Sequence, residues 1–208
     1  VKRFGTIRGA FVLEKVRNRF ENSAAIDDFN QRIFHFESII ETFDKNPFPN
    51  YGTKLHSEIR FAGKFLGGEV DYRRFFVSWE GFIPLGKYVN FHPKMSLGLS
   101  GPDLPVSEQF FIGGAKSFAG YRAFEYSGDK TVLMNNELRF KLPLSFYLIG
   151  RYDIGEVYAH TDEIKLRNLR HGGGAFLAFN SPIGPFEFGY GVADSDNDRF
   201  YVNIGLSF

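Results

Sequence analysis

Scattered histidines, one acidic cluster and one glycine run are the first places to look for chemistry in this chain. His35, His56, His92, His160 and His171 show no H-E-x-x-H or other metal-ligand spacing. The first three fall on polar faces of predicted strands and read as hydrogen bonders. The segment HGGGAF, 171–176, follows a loop and opens a strand. It lacks the helix N-terminus that cradles a phosphate, and small residues where backbone bends or a loop packs close explain it better. The acidic DSDND, 194–198, offers oxygens for calcium but reads as a solvated hairpin turn. There is no G-x-S-x-G nucleophile elbow, and no catalytic triad assembles. The expectation is a non-enzyme with no catalytic residue, no metal and no cofactor.

If the chain carries no reaction, its elements must carry its function. Lys plus Arg number 25 against 24 for Asp plus Glu, too even a balance for a nucleic-acid partner or a basic membrane-surface patch. With no cysteine, disulfides and thiolate metal sites are excluded, which is compatible with an oxidising envelope compartment. Nothing approaches the ~18 consecutive apolar residues of a transmembrane helix. The opening VKRFGTIRGA is not a signal peptide, so a processed product or an excised piece is expected. Twenty-six Phe and 23 Gly beside 2 Met and 1 Trp are the composition of tight, aromatic-rich β-structure. The fold is expected to be all-β.

Ten strands are predicted, at 5–16, 32–43, 53–62, 70–82, 88–99, 131–142, 146–158, 173–180, 186–193 and from 199 to the end. Their alternation sorts apolar from polar residues. In the third, Leu55, Ile59 and Phe61 oppose Lys54, His56, Glu58 and Arg60; in the sixth, Val132, Met134, Leu138 and Phe140 oppose Asn135, Glu137, Arg139 and Lys141. A half-exposed soluble sheet gives the same pattern. Length and loops decide between them. Several predicted strands reach about 10–14 residues, beyond the globular norm of ~5–6 and enough to cross a bilayer. Connections alternate between short ones at 44–52, 83–87, 143–145 and 181–185 and long ones at 18–31, 100–129 and 159–171, with tight exceptions at 63–68 and 194–198. That asymmetry belongs to transmembrane β-barrels. An even strand count puts both termini on the periplasmic side, with Phe208 in the inner aromatic girdle.

The segments FFIGG, SFAGYR, NNELRFKLP, YDIGEVY, GGGAFLAFNSPIGPFEFGYG and VNIGLSF, in this order, resemble the bacterial surface antigen family, the BamA/TamA-type outer-membrane superfamily. The resemblance runs from about residue 53 to 208. It implies an antiparallel transmembrane β-barrel in the bacterial outer membrane over residues 1–208, and a function in inserting or exporting polypeptides. Family barrels have about sixteen strands, within the range of such proteins, so this chain resembles the last ten. The loop 100–129 is expected to fold into the lumen, where the tip of family members meets carboxylates. Its motif here is Gly113, Gly114, Phe118, Gly120, Tyr121 and Arg122; the charge cluster is Glu137, Arg139, Arg151 and Asp153; the terminal strand signal is Asn203, Gly205, Leu206 and Phe208. Ala119 stands where the family's tip arginine is expected, so Arg122 is the favoured replacement, with Arg139 and Arg151 as alternatives. An otherwise unpaired lumenal carboxylate pair would be costly.

A tip without arginine also resembles barrels that follow patatin-like phospholipase domains, which would make this chain a membrane anchor or export barrel; a passive channel is a third reading. The partners expected are outer-membrane lipid and a client polypeptide. Ten strands leave little lumen for such a loop. Either further strands complete the barrel, or two copies pair as a homodimer through open strand edges, or the loop stays outside.

Overall fold

Period-two alternation builds strands throughout. A computed structural model describes residues 5–19, 26–101, 104–159, 164, 166–182, 184–194 and 196–205. The strands are β1 (Thr6–Arg19), β2 (Ile26–Glu41), β3 (Gly52–Ala62), β4 (Tyr72–Pro84), β5 (Val89–Ser100), β6 (Phe110–Ile112), β7 (Tyr126–Gly128), β8 (Lys130–Lys141), β9 (Phe146–Tyr158), β10 (Arg170–Ser181), β11 (Gly184–Ala193) and β12 (Asn197–Ile204). Ten of them form one antiparallel sheet in the order β1-β2-β3-β4-β5-β8-β9-β10-β11-β12, while β6 and β7 pair with each other inside the segment joining β5 to β8. This is an antiparallel transmembrane β-barrel wall, to which the chain contributes ten strands.

Its polarity is inverted relative to a soluble sheet. One face carries exposed Met95, Leu97, Leu148, Leu177 and Phe188, while buried groups on the other include Gln31, His92, Asn135, Arg151 and Asp153. Apolar side chains outside and charges inside suit a hydrocarbon solvent, which satisfies no backbone group and so demands a complete ladder.

Three expectations are corrected. The supposed long connection 18–31 is mostly strand, since β1 runs to Arg19 and β2 begins at Ile26. Its polar residues hid a hairpin that extends β1 and β2, in which Arg17 and Lys15 pair with Asp28 at 3.0 and 3.2 Å. β10 begins at Arg170, three residues before the predicted start at 173, and runs through the glycine segment expected to open it. The loop 100–129 contains the β6–β7 hairpin and an isolated bridge between Gly114 and Phe118. Pro93 sits inside β5, and the β4–β5 ladder lapses between Glu80↔Lys94 and Ile83↔Phe91 because proline has no N–H to give. Phe82 fills that gap by stacking on His92 at 3.9 Å.

Leu97→Arg places a charge on the outward face of β5 and is expected to cost about 2–4 kcal/mol near the bilayer midplane. Urea unfolding in lipid vesicles measures it; an unchanged midpoint would mean this face does not touch lipid.

Candidate functional site

Alternation along β8 turns Asn135, Glu137 and Arg139 inward, and alternation along β9 does the same for Arg151 and Asp153. Register then sets Asn135 opposite Asp153 and Glu137 opposite Arg151, with His92 of β5 opposite Glu137 on its other side. The segment between β5 and β8 folds down onto this polar patch. Phe118, Ala119 and Tyr121 at its tip have 0% exposure.

The tip is held through its backbone. Asp153 Oδ2 accepts the Ala119 N–H at 2.8 Å. Its Oδ1 accepts Asn135 Nδ2 and Arg151 Nε, each at 2.7 Å. Arg151 donates Nη1 to Ala115 O and Nη2 to Ser117 O at 2.9 Å, and Asn135 Nδ2 also reaches Ser117 O at 2.6 Å. Tyr201 of β12 donates its hydroxyl to Tyr121 O at 2.7 Å. Peptide groups far from water need such partners, and the wall supplies them.

Close approach explains two glycines. A Cβ on Gly172, opposite Asp153, would fall 2.6 Å from both Ala119 O and the Phe118 ring. Gly120 has φ +95° and lies so near β11 that a Cβ would meet Ala193 N at 2.4 Å. Gly114 closes the tip from the other side, its N–H donating to Tyr121 O and its carbonyl accepting the Phe118 N–H; Gly113 precedes it at the end of β6.

The guanidinium that meets Asp153 therefore belongs to Arg151. Arg122, the favoured replacement, is exposed and, among the described residues, donates its backbone N–H to Glu125 Oε2 and no side-chain group to the carboxylates. The reason is steric, since buried Ala119 leaves no space for a long side chain and the charge comes from the wall. Arg139 serves a neighbouring group, donating Nη2 to Glu137 Oε2 at 2.9 Å. Glu137 also meets His92 Nδ1 at 2.8 Å and lies 3.9 Å from Arg151.

A second anchor escaped sequence reasoning. Glu108, at the stem of the loop, is buried, with Oε2 standing 2.9 Å from Arg60 Nη1. Its Oε1 accepts Gln31 Nε2 at 3.3 Å and its carbonyl accepts Arg74 Nε at 3.0 Å. Arg60 was visible as a charge on the polar face, but nothing in DLPVSEQ marks Glu108 as its partner.

Other candidates fall apart from this site. His35 and His56 pair with Glu58 and Glu37 on the inner face, and His171 with the Tyr152 hydroxyl; His160 lies outside the described residues. Asp194 accepts the His171 N–H and Asp198 the Tyr190 hydroxyl. At the terminal strand Asn203 donates to Glu187 at 2.9 Å and Gly205 has φ +99°, while Leu206 and Phe208 lie outside the described residues.

Residues 8–208 match the Omp85 superfamily domain. A curated relative, the outer membrane protein assembly factor BamA of Nitratidesulfovibrio vulgaris, is 27% identical over 201 residues, covering 85% of this chain and 25% of that protein. The crystal structure of BamA from Haemophilus ducreyi lacking POTRA domains 1-3 is similar in fold, with a TM-score of 0.72 at 16% identity, over 85% of this chain and 42% of that one. The chain thus spans about a quarter of the length of the curated relative it matches.

Removing one partner of a buried ion pair costs about 3–5 kcal/mol. In a chain without cysteine, an Ala115→Cys probe should resist a water-soluble maleimide, and adding Arg151→Ala should speed labelling by at least roughly a hundredfold. An unchanged rate would show that Arg151 does not hold the tip.

Proposed function

This chain belongs to the Omp85 superfamily, whose members are bacterial outer-membrane proteins, and from that membership we propose that it serves in inserting or translocating polypeptides at the outer membrane. The mechanism is non-enzymatic. An edge of the sheet offers its backbone groups to an incoming strand, which adds by β-augmentation.

The observation that carries this reading is the contrast between the middle of the wall and its last strand. Outward apolar side chains in the middle of the sheet, such as Leu97 and Leu177, are 40% and 39% exposed. On β12, Phe200, Val202 and Ile204 rise to 84%, 62% and 62%. Flanking strands shield the former; the latter are the surfaces against which an added strand would pack. The inward loop weighs against a passive channel, because it occupies the polar face that would conduct. The anchor reading, a barrel following a patatin-like phospholipase domain, draws on Ala119 at the tip alone.

A photo-cross-linker at Ile204 should capture nascent outer-membrane polypeptide several-fold more than one at Leu177, which serves as the internal control. Capture of a second copy of this chain at Ile204 would support an edge-to-edge homodimer instead. Equal yields at both positions would remove the support for strand addition.

A further inference from the structure

Among the described residues the outward face carries the paired charges Lys15, Arg17 and Asp28 toward the β1–β2 hairpin and, beside them on β2 to β4, arginines that the loop and the sheet ends leave unexplained. Phe34, Phe36, Phe61, Ala62, Phe65 and Arg73 line a groove of about 360 Å³ on the outside of β2, β3 and β4. Register makes it a continuous row. Phe11 on β1 stands opposite Phe34, Phe34 opposite Phe61, and Phe61 opposite Arg73. The Phe11 and Phe34 rings lie 5.1 Å apart. Phe65, from the turn between β3 and β4, is 81% exposed and lies back over Gly63, where a Cβ would meet its ring at 2.2 Å.

Arg73 is out of place in such a row. The outward positions of β4 run Arg73, Phe75, Val77, Trp79, Gly81 and Ile83, and only the first is charged. Among the described residues no acidic group pairs with it, although neighbouring Lys64 is close to Asp71 at 3.9 Å. Arg32, the next outward residue beyond Phe34, is also exposed; it donates Nη1 to Leu66 O at 2.8 Å, which fixes the guanidinium beside the same turn. By strand spacing the Arg32 and Arg73 backbones stand about 12 Å apart. A lone arginine facing lipid costs energy unless it reaches the interface or finds an anion.

We infer that this groove is a binding site for a phosphorylated, multiply acylated glycolipid, with an acyl chain along the aromatic row and a phosphate on Arg73 and Arg32. The leaflet follows from the loops. The groove adjoins the β3–β4 turn, at the same end of the sheet as the long β5–β8 connection and opposite the short turns after β4 and β8. Long loops mark the external side of such barrels, and phosphate-bearing glycolipid fills the external leaflet of an outer membrane. Two guanidiniums match a phosphate geometrically as well as electrically. The apolar rings contribute what an ion site lacks, a surface that binds chains and excludes water. The inference is independent of how polypeptides are handled.

The test uses the full chain in detergent micelles, with bound lipid read by native mass spectrometry. The probes are a hexa-acylated bisphosphoryl glucosamine disaccharide, the same disaccharide with both phosphates removed, and inorganic phosphate as competitor. The intact chain should retain the phosphorylated probe about tenfold better than the dephosphorylated one, and Arg73→Gln should abolish that preference. Phe65→Ala should weaken both glycolipids several-fold, and millimolar inorganic phosphate should displace neither. Both substitutions are at exposed positions. Equal retention of the two glycolipids by the intact chain, an unchanged preference in Arg73→Gln, or displacement by inorganic phosphate alone would each overturn the site.

Discussion

Hydrocarbon forms no hydrogen bonds, and everything in this structure answers to that. A segment in lipid must satisfy its peptide groups internally, so the chain crosses as paired strands and not as isolated ones. The same solvent accepts leucine and phenylalanine side chains without cost and rejects charge. Alternation then sends every second residue outward as an apolar group and concentrates lysines, arginines, glutamates and histidines on the inner face. A sheet of this kind has its polar chemistry inside.

That interior must in turn be satisfied, and the connection between β5 and β8 does much of this. Exchange runs in both directions. At the tip, wall side chains Asp153, Arg151 and Asn135 pair with loop peptide groups. At the stem, the loop contributes the carboxylate of Glu108 to wall groups Arg60 and Gln31. The stem is therefore tied to β2, β3 and β4, while the tip is tied to β8, β9 and, through Tyr201, to β12. One loop thus contacts β2, β3 and β4 at its stem and β8, β9 and β12 at its tip.

The outer face has fewer demands because lipid covers it without specific contacts. Its departures from uniformity are correspondingly informative. High exposure on β12 marks its outward apolar side chains, and the arginine of β4, unpaired among the described residues, marks where the apolar surface meets an anion. These features lie on opposite faces of the wall from the loop anchors, so changes at one need not disturb the other.

Much of the architecture was legible because it is written in nearest-neighbour terms. Period two, strand length and turn residues are local, and they placed the ten wall strands, the inward carboxylates Glu137 and Asp153 and the outward apolar stripe. Where polarity left both faces of a hairpin alike, as at 18–31, the local signal failed and the strand was read as loop. Partners across space were legible only through the family resemblance, which brought the loop tip to the carboxylates with Arg151 among the alternatives. Arg122, adjacent in sequence to the tip, gave way to Arg151, because a buried tip with Ala119 against β11 has no volume for its own guanidinium. Glu108 met Arg60 for the same reason in reverse, since only the path of the loop across the sheet brings residues 48 positions apart within 2.9 Å. Alternation along the chain determined which side chains face inward; the three-dimensional course of the loop decided which of them meet.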